Sequence, residues 1–386
     1  MKEFDFEKGA KRKGTNCVKW DVPFITEDVT PMWIADMDFP VAPGVSENLK
    51  KIVEQEVYGY QFLSDHYYES VINWMKRRHN YELTRDEICY VPNVVLGLYF
   101  GVQAVSDPGD EIMIMPPVYG PFFKAVKDNG RVLVESPMKN DHGYYTIDFE
   151  DLENRITKKT KAIMICNPHN PTGRVWTEEE LQQLSDICIR HDLYILSDDI
   201  HSELLAKGKK HTFIGALSDE IRQRSIMYTS PSKAFNLAGI HVANCFIANE
   251  ALRKKYKEIS EKSHAAENNS FSEAALVGAY DKSEDWLDAL NVYIEGNVKY
   301  FVEYIQKEIP NLTVWKPEAT YLVWVDFRKT DIPENELQEY MKKECGVFLN
   351  EGPFFGEEGQ GFMRFNLACP RKQIATVLKK MKEKLA

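Results

Sequence analysis

Lys233 stands in TSPSKAFNLAG, residues 229–239, among small hydroxyl and apolar side chains directly after the apolar run SIMY. A lysine kept for solubility belongs among other charges on a helix face. This one leaves what reads as a buried strand. Three more polar groups follow short apolar runs in the same way. NPHNPTG (167–173) comes after KAIMIC, Asp198 after LYILS, and Tyr119, within PPVYGPF, after EIMIM. Singly, each has an ordinary explanation: a turn, a helix cap, a packed aromatic ring.

Together they match the needs of pyridoxal phosphate. That cofactor takes a lysine amine at its aldehyde and a carboxylate at its ring nitrogen, and it then withdraws electrons from a substrate Cα. Lys233 and Asp198 fill those two roles. Tyr119 can stack on the ring, Asn170 can hydrogen-bond its phenolic oxygen, and Ser230 and Ser232 can help hold its phosphate. A lysine leaving an apolar strand is desolvated, which favours the neutral, nucleophilic amine.

The elements that must position these groups are legible between residues 111 and 248. EIMIM (111–115), RVLVES (131–136), KAIMIC (161–166), LYILSD (193–198), SIMYTS (225–230) and VANCFIA (242–248) are short apolar runs separated by helical segments. One such helix is expected over 118–128 and another over 177–192, the latter opening with a capping box of Thr177 and Glu180. The alternation predicts an α/β fold with a mostly parallel sheet buried on both faces. In such sheets ligands gather at the carboxyl ends of the strands.

From 273 to 308 the pattern is helical throughout, and beyond it LTVW, YLVWVDF and GFMRFNLA with two helices suggest a smaller α+β piece. The expected division is 1–45 as an N-terminal segment, 46–284 as a large cofactor-binding domain, and 285–386 as a small domain with a long connecting helix. The Pro-rich first forty-odd residues would join that small domain or a partner subunit.

Composition excludes rather than assigns. The 386 residues carry a formal charge of −11, which disfavours nucleic acid and anionic membranes as partners. No apolar run approaches the roughly 18 residues of a membrane helix, and the N-terminus has no apolar stretch after its charges, so no secretory signal is expected. Seven dispersed cysteines without C-x-x-C suggest reduced thiols and a cytoplasmic setting. The cluster DDIHSE (198–203) invites a metal site, but no zinc-type spacing accompanies it and no metal is expected.

N-P-x-N-P-T-G, an Asp ending a strand, and S-x-S-K together resemble the aspartate-aminotransferase superfamily of pyridoxal-phosphate enzymes, fold type I. MWIADMDFP (32–40), SDDIHSEL (197–204) and SPSKAFNLAG narrow the resemblance to the MalY/PatB-type carbon–sulfur β-lyases, along nearly the whole chain. The resemblance implies a large domain built on a sheet of the seven-stranded type. It implies that Lys233 is both the covalent anchor and the base at Cα, and that Asp198 pairs with the ring nitrogen. Arg364, in RFNLACP, would grip the substrate α-carboxylate. Backbone amides at Val94 and Val95 would meet the phosphate at a helix start.

Tyr60, in YGY, would reach the phosphate of a neighbouring subunit and its substrate, making a homodimer with shared sites; Tyr58 is the fallback. Ala35 would join Asn170 at the substrate, while Met32, Trp33 and Asp36 either line the entrance or pack. Two departures stand out. His241 occupies the place of a phosphate-binding arginine eight positions after the lysine. His201 replaces a tyrosine three positions after the Asp, as in the lyase branch. Asn93, where relatives often have glycine, is expected to serve a left-handed turn.

The implied reaction is α,β-elimination from an L-amino acid such as L-cystathionine, giving a thiol, pyruvate and ammonia. An aminotransferase shares every cofactor contact. A lyase that also binds a transcription regulator is a further alternative.

Overall fold

The computed structural model describes residues 4–265 and 267–386. Its centre is a seven-stranded sheet. The strands, numbered along the chain, are β1 (Ile88–Val91), β2 (Glu111–Ile114), β3 (Val132–Glu135), β4 (Thr160–Cys166), β5 (Tyr194–Asp198), β6 (Ser225–Thr229) and β7 (Ala243–Phe246). Their spatial order is β1-β7-β6-β5-β4-β2-β3, with β7 antiparallel to both neighbours and the remaining pairings parallel.

The α/β expectation holds, and every apolar run read as a strand forms one. β4, β5 and β6 are buried along nearly their whole length, as near-continuous apolar runs require. Helices cover the sheet closely. Gly97 and Gly101 of the helix Val94–Val105 leave room for the Tyr228 ring on β6, and a Cβ at Gly101 would collide with its hydroxyl. β1 escaped the sequence reading because its four residues, ICYV, follow a charged turn and offer no period to detect.

Helix ends follow local chemistry. Thr177 and Glu180 form the expected capping box at the start of Glu178–Arg190. The segment expected as one helix from 273 is two, Ser272–Lys282 and Glu284–Glu308. Ser283 breaks it by leaving helical geometry, with φ −132°, and turning its hydroxyl back to the Gly278 carbonyl at 2.7 Å. The helix expected over 118–128 starts only at Pro121, since a proline fits the first helical turn.

A second, antiparallel sheet joins Thr313–Val314, Leu322–Asp326, Phe362–Asn366 and Asn350–Glu351 in that order. The N-terminal segment, for which two destinations stood open, lies against this part of the same chain. Thr30–Pro31 pairs with Val347–Phe348, and the Asp38 amide donates to the Ala368 carbonyl at 2.8 Å. The segment thus brings Ala35 against Lys233, just past the carboxyl end of β6. Among the described residues no helix is long and apolar enough to cross a membrane.

Candidate active site

A cleft with about 170 Å³ of solvent-accessible space opens at the carboxyl ends of β4, β5 and β6. Asp198 closes β5, Cys166 closes β4 directly opposite it, and Ser230, Ser232 and Lys233 follow β6 on the short helix Pro231–Ala234. Tyr119, Asn170, His201 and Ala35 complete that end. Strand direction explains the convergence. Parallel strands deliver their carboxyl ends to one edge, and the reversed β7 brings His241 and Val242 to the same edge with its start.

Lys233 is partly buried, and its Nζ donates to the Ala35 carbonyl at 2.7 Å. Burial, with the nearby Arg364 charge, lowers its pKa to about 8, against the pull of Asp36 and Asp198. The amine is therefore partly neutral near physiological pH, as a nucleophile must be. Burial lifts Asp198 to about 7; the Ile200 amide opposes this at 3.2 Å, and Asp199 adds to it. A carboxylate this short of partners is suited to a cationic ring nitrogen. His201 is held well below its ordinary value by burial and by the Lys233 and Arg364 charges, so it stays neutral, with Nδ1 unpartnered.

The same cleft offers groups suited to an anion. Pro92, Asn93, Val94 and Val95 border it at the start of the twelve-residue helix Val94–Val105, whose first amides lack helical acceptors. Asn93 does not adopt the expected left-handed turn. Its φ is −157°, in extended backbone, and its side chain caps the helix by accepting from the Leu96 amide at 2.9 Å. Asparagine suits the position as an N-cap, and Val94 and Val95 follow it at the border of the cleft.

The Ser230 hydroxyl is already committed. It donates to the Val242 carbonyl at 2.7 Å and accepts from the Ser232 amide at 3.0 Å. Ser232 is the hydroxyl better placed to serve a phosphate. His241 borders the same cleft in the left-handed region, at φ 59°.

Arg364 lies buried behind the cleft. It donates to Asn170 Oδ1 at 3.0 Å and to the Trp33 carbonyl at 2.6 Å, while its Nε has no partner. Burial draws its pKa to about 10, still cationic at neutral pH. An arginine sharing its fork with an amide is poised to exchange that contact for a carboxylate. The Tyr119 hydroxyl is pushed upward by burial, and its ring meets Phe354 edge-on, centroids 6.2 Å apart.

Tyr60 does not enter the cleft of its own chain. It is fully exposed, in a segment with Phe62 and Val57 also exposed. Tyr58 is half exposed, its hydroxyl on the Val53 carbonyl at 3.1 Å. Met32 is buried, whereas Trp33 and Asp36 flank Ala35 from partly covered positions. Tyr321 was missed: its hydroxyl donates to the same Ala35 carbonyl as Lys233, at 3.1 Å. Nothing local in YLVWVDF distinguishes it from a packed tyrosine. Asp199 and Glu203 of DDIHSE turn away to His211 and His79, and among the described residues no group of three or more such side chains is placed to hold a metal.

The donor set fits pyridoxal phosphate: a depressed amine, a buried unneutralised carboxylate and a helix start, all bordering one cleft. The family model for aminotransferase class I and II matches residues 35–381. Over 386 residues the chain is 37% identical to cystathionine β-lyase PatB of Bacillus subtilis, covering 99% of this chain and all of the relative. Cystalysin from Treponema denticola, whose crystal structure contains a pyridoxal 5'-phosphate cofactor, superposes with a TM-score of 0.96 at 34% identity over 99% of this chain and 98% of that one. A pyridoxal-phosphate-bound putative aminotransferase from Clostridium difficile 630 has a TM-score of 0.96 at 38% identity over the whole of both chains.

Proposed function

The chain belongs to the aminotransferase class I and II family, and from that premise we propose that it removes the β-sulfur group from L-cysteine S-conjugates such as L-cystathionine. The products are a thiol, pyruvate and ammonia. It has the pyridoxal-phosphate fold of type I, and its cofactor is pyridoxal 5'-phosphate. The observation that carries the reading is the convergence of Lys233, Asp198 and Asn170 on one cleft, with Arg364 bonded to Asn170 behind it. The whole-length match to a cystathionine β-lyase favours elimination over amino transfer.

Bound there, pyridoxal phosphate supplies an electron sink for the charge left at the substrate Cα. The chain's residues do the rest. Arg364 holds the α-carboxylate, with Asn170 and Ala35 bordering it, and so turns the Cα–H toward Lys233. Lys233 takes that proton on Nζ and gives it to the departing sulfur, so the thiol leaves neutral and the three-carbon remainder takes up water to become pyruvate and ammonia. Asp198, ionised against the ring nitrogen, keeps it protonated. Tyr119 covers the ring, while Val94, Val95 and Ser232 hold the phosphate end. His201, neutral and buried, adds no competing charge.

The decisive assay supplies purified, cofactor-loaded protein with L-cystathionine and no 2-oxo acid. Steady, many-turnover pyruvate is expected. Product that forms only after a 2-oxo acid is added, as a new amino acid, would make the protein an aminotransferase.

The same reading includes the division 1–45, 46–284 and 285–386, a cytoplasmic setting in keeping with seven unpaired cysteines, and a homodimer in which Tyr60 completes the partner's phosphate site. Tyr60, Phe62 and Val57 form an exposed apolar segment without regular structure, a surface that favours being covered. Mixing inactive Lys233→Ala and Tyr60→Ala chains should regenerate one intact site per mixed dimer. Activity of the mixture no higher than that of either parent would remove the shared site.

A further inference from the structure

A second concentration of buried charge lies outside the cleft, against the extended segment 33–38. Arg12 grips both carboxylate oxygens of Asp36, at 2.8 and 2.6 Å, and reaches Asp38 at 3.0 Å and the Met37 carbonyl at 2.9 Å. Lys19, buried, donates to Asp38 at 3.1 Å and lies 3.5 Å from Asp36. Trp20 adds a third donor to Asp38 at 3.0 Å, and the Trp33 indole returns to the Lys19 carbonyl at 3.2 Å. Two cations and two anions thus cancel in a covered place. If stability alone were served, apolar side chains of similar volume would do as well.

What this cluster holds still is a backbone carbonyl. Ala35 immediately precedes Asp36, and its oxygen accepts from both Lys233 Nζ, at 2.7 Å, and Tyr321, at 3.1 Å. Alanine has no side chain with which to anchor itself. The rest of the chain fixes the inner side of the segment, Asn236 through Met37 and Asn366 through the Ile34 and Asp36 carbonyls. The outer side is left to residues 10–21. We propose that these residues form a clasp in which Arg12 and Lys19, as positioning residues, hold Asp36 and Asp38 so that the Ala35 carbonyl directs the Lys233 amine. The planar two-pronged grip of Arg12 suits that task, because it specifies orientation as well as charge. The inference rests on the reading of Lys233 as the reacting amine.

The test compares the full-length protein with Arg12→Lys, which keeps the charge and loses the fork. Cofactor-free protein is mixed with pyridoxal phosphate, and the rate at which visible absorbance appears is followed against pH. Capture needs the neutral amine, so the midpoint reads Lys233 in the state in which it rests on Ala35. The ionisable groups facing it are Arg364, Asp36, Asp198 and His201, with the Tyr321 hydroxyl on the same carbonyl. All keep their charges in the variant. A carbonyl acceptor favours the ammonium form, so a slackened one lowers the midpoint from near 8 by about half a pH unit or more.

With saturating cofactor, kcat should fall about tenfold with KM nearly unchanged, as a misaligned base predicts. An Arg12→Lys protein that melts earlier yet keeps the wild-type midpoint and kcat per bound cofactor would overturn the clasp alone. Wild-type protein that gains no visible absorbance at any pH would overturn the functional reading and the clasp with it.

Discussion

Lys233→Ala is expected to lower pyruvate formation from L-cystathionine by about 10⁴-fold or more, because in the proposed reaction one side chain supplies both the covalent anchor and the base. No other lysine among the described residues borders the cleft. The variant should still retain cofactor, since Asp198, the helix start at Val94 and the Ser232 end are untouched. The retained cofactor should keep the absorption of the free aldehyde at every pH. Its structure should change little, because the Ala35 carbonyl that loses Nζ keeps the Tyr321 hydroxyl as a donor at 3.1 Å. Wild-type turnover in this variant would sink the assignment of Lys233.

Asp198→Asn has two expected consequences of opposite sign. With cofactor and substrate present, kcat should fall by about 10²–10³-fold, the usual cost of removing one preorganised electrostatic partner. Without cofactor, the variant should be the more stable protein above neutrality. The sign follows from linkage. Burial raises the folded-state pKa of Asp198 from 3.8 to about 7, so its contribution to stability is full below the unfolded value and is lost as pH rises through about 7. Asparagine carries no such titration. The melting temperature of cofactor-free Asp198→Asn should therefore exceed that of the wild type by about 2–5 °C at pH 8.5, with the gap closing toward pH 5. A gap that stays constant with pH would show that Asp198 does not ionise across this range. Saturating cofactor should reverse the order, because the wild-type carboxylate then has its partner.

Much of this was open to reading before any fold was known. Apolar runs of four to seven residues spaced by helical segments announce a buried parallel sheet, because strand and helix periods are local properties of the chain. The topology of such sheets then predicts where their polar successors must lie, and Lys233, Asp198, Asn170 and Tyr119 do border one cleft. Local chemistry also set the capping box at Thr177.

Other features depended on partners the local sequence does not name. Asn93 was read from residue type as a turn former, whereas the start of a helix made it a cap. Ser230 was read as a free hydroxyl, yet Val242, twelve residues on, takes its proton. The N-terminal charges served the sequence reading only to exclude a secretory signal, whereas the fold sets Arg12 and Lys19 against Asp36 and Asp38.

The sequence by itself determined the fold class, the edge of the sheet at which polar residues gather, and the residue types that border the cleft there. The tertiary structure alone decided where the amine rests and what holds it there. Lys233 meets Ala35 across 198 residues of chain, Arg364 meets Asn170 across 194, and Tyr321 reaches Ala35 across 286. Contacts so distant in sequence leave no period or spacing along the chain. They arise only when burial of the apolar strands brings the segments together and obliges each buried polar group to find a partner.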